Sequence, residues 1–415
     1  MLQYLLFIFY FAMLCWAITK IRFVQKSELS NKWIVALFAV KIFAGIAIGF
    51  ASLHFYGSGN DYWTNNSGSI AELEVLKTNP KYFFSELIFS NYNGSYADFW
   101  GHANSFWNDL KNNCLIKFMA FFNLLSGGNY YINSIFFNFI VFIGHIGLYR
   151  LFKKMFPGFN YGVIIGCFLL PSFLYFSSGI HRDGLIFTLI TMCLYSCYSI
   201  LEERKTNKKF FIAIILSIGL LMLLRSVVAI TLIPALFAWW CSKQFNLKAV
   251  LVSAATVVLF LFIILFADKF SSINPLDFIT EKQADYLKLA AGNTQISLPK
   301  LEPTATSFVS NTPQALANVF VRPLPGEKPF SLIPFEMEWV FYYLCLAVFL
   351  FKVNKNKFPV PASYLFPVIV FCFLSYLFIG HIVPNLGAIL RYRSIYLPFV
   401  LTPVLGYFSC QIYLN

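Results

Sequence analysis

The chain has 415 residues, of which 59% are hydrophobic, 20% aromatic and only 12% charged. This composition is far more apolar than one soluble core requires, so it excludes an ordinary soluble domain and indicates a protein with many membrane spans. The formal net charge of +13 comes from lysines in short connections rather than from one basic patch, which argues against a nucleic-acid partner and for a role in membrane topology.

Apolar runs of about 17 to 23 residues recur along the chain, the length of helix that crosses roughly 30 Å of hydrocarbon. We therefore predict an all-α integral membrane protein with about eleven transmembrane helices, forming a single polytopic membrane domain over residues 1–415. The first run starts at Met1 with no basic region before it, which favours a retained span over a cleaved signal peptide. The predicted spans are 2–18, 33–54, 131–152, 160–177, 184–201, 210–224, 226–241, 248–267, 337–352, 359–380 and 395–412.

Every second connection is short and basic, and such connections face the cytoplasm. The orientation that follows has the amino terminus outside and the carboxyl terminus inside. The basic groups are Lys20/Arg22/Lys26/Lys32, Lys153/Lys154, Arg204/Lys205/Lys208/Lys209, Lys243/Lys248 and Lys352/Lys355/Lys357.

Two of the remaining connections are long, about residues 55–130 and 268–336, and both are rich in Asn, Ser, Gly, Pro and aromatic residues. This composition predicts structured extracytoplasmic caps rather than flexible linkers. Within the first, the stretch LIKFMAFFNLLSG is apolar but short and ends in Gly127 and Gly128. It predicts an interfacial or re-entrant helix rather than a span.

The stretch SSGIHRDGLIF places His181, Arg182 and Asp183 side by side at an outer turn between two apolar runs. Ionisable groups near membrane depth are expensive and tend to pair or to line a cavity. Since several such groups fall on the outer side, we expect them to form one polar chamber. The other members are Asp61, Arg225, Arg322, Glu327, His381, Arg391 and Arg393.

These residues also have structural interpretations. Arg182 and Asp183 could form an interfacial ion pair that ends two helices, and Arg225 could extend to the headgroups from a short turn. The two arginines of GAILRYRS flank a tyrosine, and this pattern often anchors a span at the membrane surface. Lys41 lies deep inside the second predicted span, where it needs a partner unless its side chain extends to the cytoplasmic surface.

Two families resemble parts of this chain. A first long outer loop with an early acid, Asp61, followed later by LPSFLYFSSGIHRDGLIF, resembles the opening half of the polytopic GT-C glycosyltransferases. The resemblance implies that Asp61 matches the first catalytic acid of that family and Asp183 the second. The additional amino-terminal span departs from the family pattern.

The segments LPSFLYFSSGIHRDG, LLRSVVAI, FVRPLPGE and PNLGAILRYRSIYLPF, within about residues 130–405, are similar to O-antigen-polymerase-like proteins of surface-polysaccharide loci. This second resemblance implies arginine-bearing outer loops that handle polyprenyl-diphosphate glycans. Both resemblances imply the same broad chemistry.

We therefore expect a membrane glycosyltransferase or glycan polymerase at the outer face of the inner membrane, with a polyprenyl-(di)phosphate-linked sugar donor and a glycan or lipid-linked acceptor. Asp61 is the predicted base, Asp183 the second candidate, and His181 an assisting donor or acid. The predicted phosphate-binding residues are Arg182, Arg225, Arg322, Arg391 and Arg393. The predicted sugar-stacking residues are Tyr62, Trp63, Trp100 and Trp107, whose alternative role is an interfacial aromatic belt.

No metal-ligand spacing or cofactor motif is evident, although a divalent metal near Asp61 or Asp183 would be compatible with the chemistry. Two other classes of function stay open. A flippase or transporter of lipid-linked glycans would also need an arginine-lined chamber, and a structural subunit of an envelope complex would tolerate replacement of the outer arginines.

Overall fold

The structure is a computed structural model that describes residues 1–89, 99, 105–270, 274–289, 292–327, 329–354 and 358–414. Every regular element in these ranges is a helix, and this agrees with the predicted all-α membrane protein. The first ten helices are α1 Leu2–Lys20, α2 Arg22–Gln25, α3 Asn31–Tyr56, α4 Asp61–Thr78, α5 Pro80–Phe89, α6 Phe106–Ser126, α7 Tyr130–Met155, α8 Tyr161–Ile164, α9 Pro171–Ser178 and α10 Arg182–Leu201. The others are α11 Lys208–Gln244, α12 Ala249–Phe266, α13 Pro275–Leu287, α14 Ala305–Leu316, α15 Ile333–Lys352, α16 Ala362–Ile382, α17 Leu386–Ser394 and α18 Leu397–Leu414.

Eight described helices are long and apolar enough to cross a membrane, and a bent pair, Tyr161–Leu169 with Pro171–Ser178, makes a ninth candidate. Two differences separate this count from the predicted eleven. The predicted spans 210–224 and 226–241 both fall on α11, and the boundary predicted between them coincides with a kink at Arg225. The predicted last span falls on α18, whose apolar part, Leu397–Gln411, is shorter than the eight long helices.

Helix α11 folds back on itself at Arg225, where the backbone leaves helical geometry with φ −158° and ψ 88°. A straight helix of its 37 residues would be about 55 Å long. Near its end, however, Lys243 contacts Glu202 at 2.9 Å, and Glu202 precedes the start of α11 by only a short connection. Since that connection and the two side chains reach roughly 35 Å at most, the two arms of α11 must turn by more than a right angle.

The described chain divides into two compact units, each described by itself below. The first consists of residues 1–89, 99, 105–154 and 167–195, and the second of residues 155–166 and the described residues from 196 to 414. The predicted single polytopic domain over residues 1–415 stays a prediction.

In the first unit, connections gather at two opposite ends. Asn129, just before α7, donates a hydrogen bond to Gln3 near the start of α1. At the other end of both helices, Lys153 contacts Glu28 at 2.6 Å. The predicted cytoplasmic connections 20–32 and 153–154 therefore meet at one end, and the amino terminus lies at the other.

In the second unit, Glu202 joins the ends of three helices. Its carboxylate accepts hydrogen bonds from the Trp239 indole at 3.0 Å, Lys243 at 2.9 Å and the Ser363 hydroxyl at 2.6 Å. Burial acts to raise the pKa of Glu202, but these hydrogen bonds outweigh it, and the pKa is lowered. The three predicted cytoplasmic connections that follow α10, α11 and α15 thus lie at the same end of this unit.

The first long connection contains α4, α5 and α6, which pack against one another. Lys117 on α6 is buried between Glu72 on α4 at 2.6 Å and Glu86 on α5 at 3.0 Å. Helix α6 contains the apolar stretch predicted to be interfacial, and it ends where Gly127 adopts φ 61°, a left-handed conformation that glycine accommodates without strain. Helices in the long connection agree with the predicted structured cap, and their position at the membrane interface stays a prediction.

Candidate acid-base and arginine sites

The turn between α9 and α10 carries His181 and is packed tightly against the start of α4. A side chain on Gly179 would place its Cβ 2.4 Å from the Tyr62 ring, so only glycine fits at this position. The His181 ring then lies edge-on to Tyr62, with ring centroids 5.9 Å apart. The Asn65 side chain donates to the carbonyl of Ile180 at 3.4 Å, which joins the turn to α4 a second time.

His181 stands between two carboxylates of very different exposure. Its Nδ1 atom lies 2.9 Å from Asp183 Oδ2, and its Nε2 atom lies 3.8 Å from Asp61 Oδ2. The Asp183 side chain is 0% exposed, that of His181 8% and that of Asp61 59%. The three side chains therefore connect a fully buried carboxylate, through an imidazole, to a carboxylate that solvent can reach.

The start of α4 presents Asp61 to this site because Asn60 caps the helix. The Asn60 Oδ1 atom accepts hydrogen bonds from the backbone N–H groups of Tyr62 and Trp63 at 3.1 and 3.3 Å. Such a cap satisfies two of the N–H groups that a helix start leaves unpaired. Asp61 is the first residue of the helix, where the positive end of the helix dipole stabilises a carboxylate.

Arg182 begins α10 next to the same site. Its Nη2 atom donates to Asn112 Oδ1 on α6 at 3.0 Å. The side-chain amide of Asn112 on α6 thus holds the guanidinium, and the sequence did not indicate this partner. Of the predicted site residues, Asp61, His181, Arg182 and Asp183 come together in the first unit.

Two predicted phosphate-binding arginines meet on one tyrosine in the second unit. The Arg225 guanidinium carbon lies 4.2 Å from the centroid of the Tyr392 ring, and that of Arg391 lies 5.2 Å from it. The Tyr392 hydroxyl also contacts the Tyr286 hydroxyl at 3.1 Å. The neighbouring Tyr392, and then burial, raise the pKa of Tyr286, so the Tyr286 phenol is neutral at neutral pH. Arg225 occupies the point where α11 folds back.

Arg393 occupies a different environment from its neighbour Arg391. It is 2% exposed, donates to the carbonyls of Val319 at 2.9 Å and Arg322 at 2.6 Å, and lies 3.6 Å from the Trp339 ring centroid. Burial lowers its pKa to about 10, although nearby tyrosines and Glu338 oppose that shift. These contacts hold a loop in place, and we do not assign phosphate binding to Arg393 below.

Arg322 pairs with a carboxylate of its own loop. Its Nε atom lies 3.3 Å from Glu327 Oε1, with both side chains partly exposed. Because Glu327 already neutralises this guanidinium, we do not assign phosphate binding to Arg322.

The aromatic residues predicted to stack on sugar rings are packed against protein. Tyr62 is buried, and Trp63 stacks on Tyr130 with centroids 4.5 Å apart while its indole N–H donates to the Gly49 carbonyl. Trp107 lies against Phe99, with centroids 6.1 Å apart. Trp100 lies outside the described residues. The three described rings stabilise the first unit, and we do not carry their sugar-binding role forward.

Among the described residues, no group of three His, Cys, Asp or Glu side chains has an arrangement that could hold a metal ion. The residues that the sequence did not single out are Asn112, beside Arg182, and Tyr286, beside Tyr392. In the sequence, each is one of many polar residues in a long outer connection, and nothing distinguishes it from the others. The single polar chamber expected to unite the outer charges stays a prediction.

Comparisons with models of protein families, with curated proteins and with solved structures found no match to this chain.

Proposed function

We propose that this protein is a membrane glycosyltransferase that transfers sugar from a polyprenyl-phosphate or polyprenyl-diphosphate carrier to a hydroxyl group, at the outer face of a bacterial inner membrane. The observation that carries the proposal is the contact series from Asp183 through His181 to Asp61. A series that joins a buried carboxylate to an exposed one through an imidazole is suited to moving a proton at the protein surface.

The different exposures assign different roles to the two carboxylates. Asp61 can reach an acceptor and takes the proton of the attacking hydroxyl as the new bond to the sugar forms. Asp183 is fully buried and cannot touch a substrate, so it acts through His181, whose ring it orients and whose positive charge it stabilises. The bond between sugar and phosphate breaks at the same centre, and the phosphate leaves with the electron pair.

The leaving phosphate needs positive charge, and arginine binds phosphate in a bidentate manner. In the first unit we assign this role to Arg182, which begins α10 next to His181. In the second unit, Arg225 and Arg391 share the Tyr392 ring, and we assign to this pair a phosphate-binding site of its own. Two guanidinium groups on one ring concentrate positive charge and hydrogen-bond donors in one place, and this supports an anionic ligand.

Eleven membrane crossings are part of the proposal. The fold-back at Arg225 supports counting the two arms of α11 separately, and the bent pair and α18 supply the other two crossings beyond the remaining seven long helices. An odd number of crossings places the termini on opposite sides. The basic connections that meet at one end of each unit support a cytoplasmic assignment for that end.

The test compares surface polysaccharide ladders and lipid-linked intermediates in a strain that lacks the gene and in strains that carry variants, with protein amounts measured. We expect Asp61→Asn and His181→Gln to lose the ladder. The matched control is Glu74→Gln, which changes an exposed carboxylate on the same helix as Asp61 and should keep the ladder. Wild-type ladders from Asp61→Asn and His181→Gln at normal protein amounts would exclude the transferase.

The intermediates distinguish the forms of the reaction. Complete repeat units that stay on the lipid carrier would identify a glycan polymerase, and intermediates short by one sugar would identify a single-sugar transferase. One observation favours a second candidate, a flippase of lipid-linked glycans, because Arg225 lies at a break in an apolar helix and such breaks often form transport sites. Intermediates that accumulate only in the inner leaflet would support the flippase.

A further inference from the structure

Lys41 is buried in the middle of α3, far from either end of an apolar helix. It is 1% exposed, and its helix runs from Asn31 to Tyr56. Ten residues of helix separate Lys41 from the start, a distance of about 15 Å. A charged group at such a depth is expensive and requires specific partners.

The ammonium group has three oxygen partners, and all belong to the last two residues of α9. Its Nζ atom donates to the Ser177 hydroxyl at 3.0 Å, the Ser178 hydroxyl at 3.2 Å and the Ser177 carbonyl at 3.3 Å. The last carbonyls of a helix have no partner within the helix and carry the negative end of its dipole. Lys41 therefore caps α9 from a different helix, inside the apolar part of the protein.

Asn138 on α7 supplies the second half of this cap. Its side-chain N–H group donates to the carbonyl of Ser178 at 2.8 Å. The three helices are in close contact here, because a Cβ on Gly45 of α3 would lie 2.8 Å from that same carbonyl and 2.6 Å from the Asn138 amide nitrogen. The end of α9 is thus held by two buried side chains, Lys41 and Asn138, in close contact with the backbone of α3.

The end of α9 in turn determines where His181 lies. Only Gly179 and Ile180 separate Ser178 from His181, and the His181 N–H donates to the Gly179 carbonyl at 2.7 Å. On the far side of the turn, a Cβ on Gly184 would lie 2.6 Å from the Ser177 carbonyl, so α10 starts directly against the capped residue. A displaced Ser177 or Ser178 would move both ends of the turn.

We propose that Lys41, together with Asn138, is a positioning residue for the candidate acid-base site, holding His181 at contact distance from Asp61 and Asp183. The importance of this positioning for catalysis rests on the proposed function. The positioning itself is testable without a substrate. The charged and titratable side chains packed around His181 are Asp61 and Tyr62 on α4 and Asp183 on α10, with Arg182 beside it in sequence.

The experiment is an NMR titration of isotope-labelled histidines in the purified full-length protein. The chain has five histidines, and a His181→Gln variant identifies the signal of His181. In Lys41→Met we expect His181 to move away from Asp61 and Asp183 by about one ångström. Longer contacts to the two carboxylates stabilise the imidazolium less, so the titration midpoint of His181 should fall by about half a pH unit or more. The matched control is Lys153→Met, which removes a lysine from the opposite end of the unit and should leave the midpoint unchanged.

The direction of the shift separates position from charge. Removing a positive charge without moving His181 would raise its midpoint, so a rise in Lys41→Met would overturn the positioning role, as would an unchanged midpoint. Asn138→Ala changes no charge, and we expect the titration midpoint of His181 to fall in this variant as well. It also provides the decisive measurement if Lys41→Met does not fold. An unchanged midpoint in Asn138→Ala would then refute the inference.

Activity distinguishes a failure of this inference from a failure of the proposed function. If Lys41→Met lowers the His181 midpoint while His181→Gln keeps a wild-type polysaccharide ladder, the positioning is real and the transferase is wrong. If His181→Gln loses the ladder while both positioning variants leave the His181 midpoint unchanged, the transferase stands and the role of Lys41 is refuted.

Discussion

Asp61 and Asp183 carry the same carboxyl group in opposite surroundings, and this difference distinguishes their proposed roles. One is mostly exposed at the first turn of α4, and the other has no exposed surface at the first turn of α10. A buried carboxylate must be paired, because an isolated charge in a dry interior is strongly unfavourable. His181 supplies that partner and extends the interaction to the surface, so a change at either carboxylate acts on the same imidazole.

The arginine pair on Tyr392 permits a prediction at the residue scale. We expect Arg225→Gln and Arg391→Gln each to weaken binding of farnesyl diphosphate to the purified protein by about 10- to 100-fold, because each removes a charge-assisted, bidentate interaction with phosphate. Arg391→Lys should recover only part of the loss, since an ammonium cannot form the paired geometry. Isothermal titration calorimetry measures the dissociation constants.

The control for this measurement is Arg204→Gln, which removes an exposed arginine from a basic connection and should leave binding unchanged. If Arg225→Gln and Arg391→Gln bind farnesyl diphosphate as tightly as the wild type, the two arginines have only a structural role in a cation–π cluster with Tyr392. A weaker affinity in Arg204→Gln as well would attribute the effect to net charge.

At the scale of elements, the fold-back of α11 depends on both of its ends. The Glu202 carboxylate brings the end of α11 to the connection that precedes its start, and Arg225 rests on Tyr392 of α17 at the fold. One residue with extended φ and ψ is enough to reverse the chain, since the helical arms on both sides keep their internal hydrogen bonds. The element is therefore two helical arms joined at Arg225.

The Glu202 cluster predicts how stability depends on pH. The pKa of Glu202 is lowered below its ordinary value of 4.5 in the folded protein. Its contribution is therefore present above about pH 4.5 and is lost as the pH falls through the folded-state value. We expect Glu202→Gln to lower the melting temperature in detergent by about 2–5 °C at pH 7, since the ion pair to Lys243 is lost, and to reduce the acid sensitivity.

A thermal unfolding series from pH 7 to pH 3 compares this variant with Glu203→Gln, which changes the neighbouring carboxylate that pairs with Lys205. Glu203→Gln should keep the melting temperature and the acid sensitivity of the wild type. Equal curves for Glu202→Gln and the wild type would mean that the cluster contributes nothing measurable.

At the scale of the whole molecule, the proposed orientation in the membrane is supported by the basic connections and by contacts within each unit. In the first unit, the connections that contain Glu28 and Lys153 meet at one end, and Asp61 and His181 meet at another turn. In the second unit, the connections after α10, α11 and α15 gather around Glu202. The alternation of basic and nonbasic connections agrees with this arrangement.

Single cysteines introduced into a cysteine-free background test this topology in intact cells. We expect Ser58→Cys, beside Asp61, to react with a membrane-impermeant maleimide from outside, and Lys205→Cys to react only after the cells are permeabilised. Each variant must first retain the wild-type polysaccharide ladder, so that labelling reports a working protein. Labelling of Lys205→Cys in intact cells, with Ser58→Cys protected, would reverse the orientation.

Apolar run lengths alone determined the class of this protein, its helical nature and the interruption at Arg225, because hydropathy is a local property that the bilayer selects directly. The residues of the candidate acid-base site could also be selected from the sequence, since HRD interrupts an apolar stretch. What the sequence could not decide was which outer charges meet. That required the packing that brings His181 onto Asp61 and Asp183, two arginines onto Tyr392, and Arg393 onto backbone carbonyls.

The same distinction applies to Lys41. The sequence showed a lysine at membrane depth that needed a partner, but its partners belong to a helix far away in the chain. The free energy of a buried charge depends on the oxygens within about 3 Å of it, and tertiary contacts supply them. Composition and periodicity describe one segment at a time, so only the folded arrangement of α3, α7 and α9 could assign Lys41 to the end of α9.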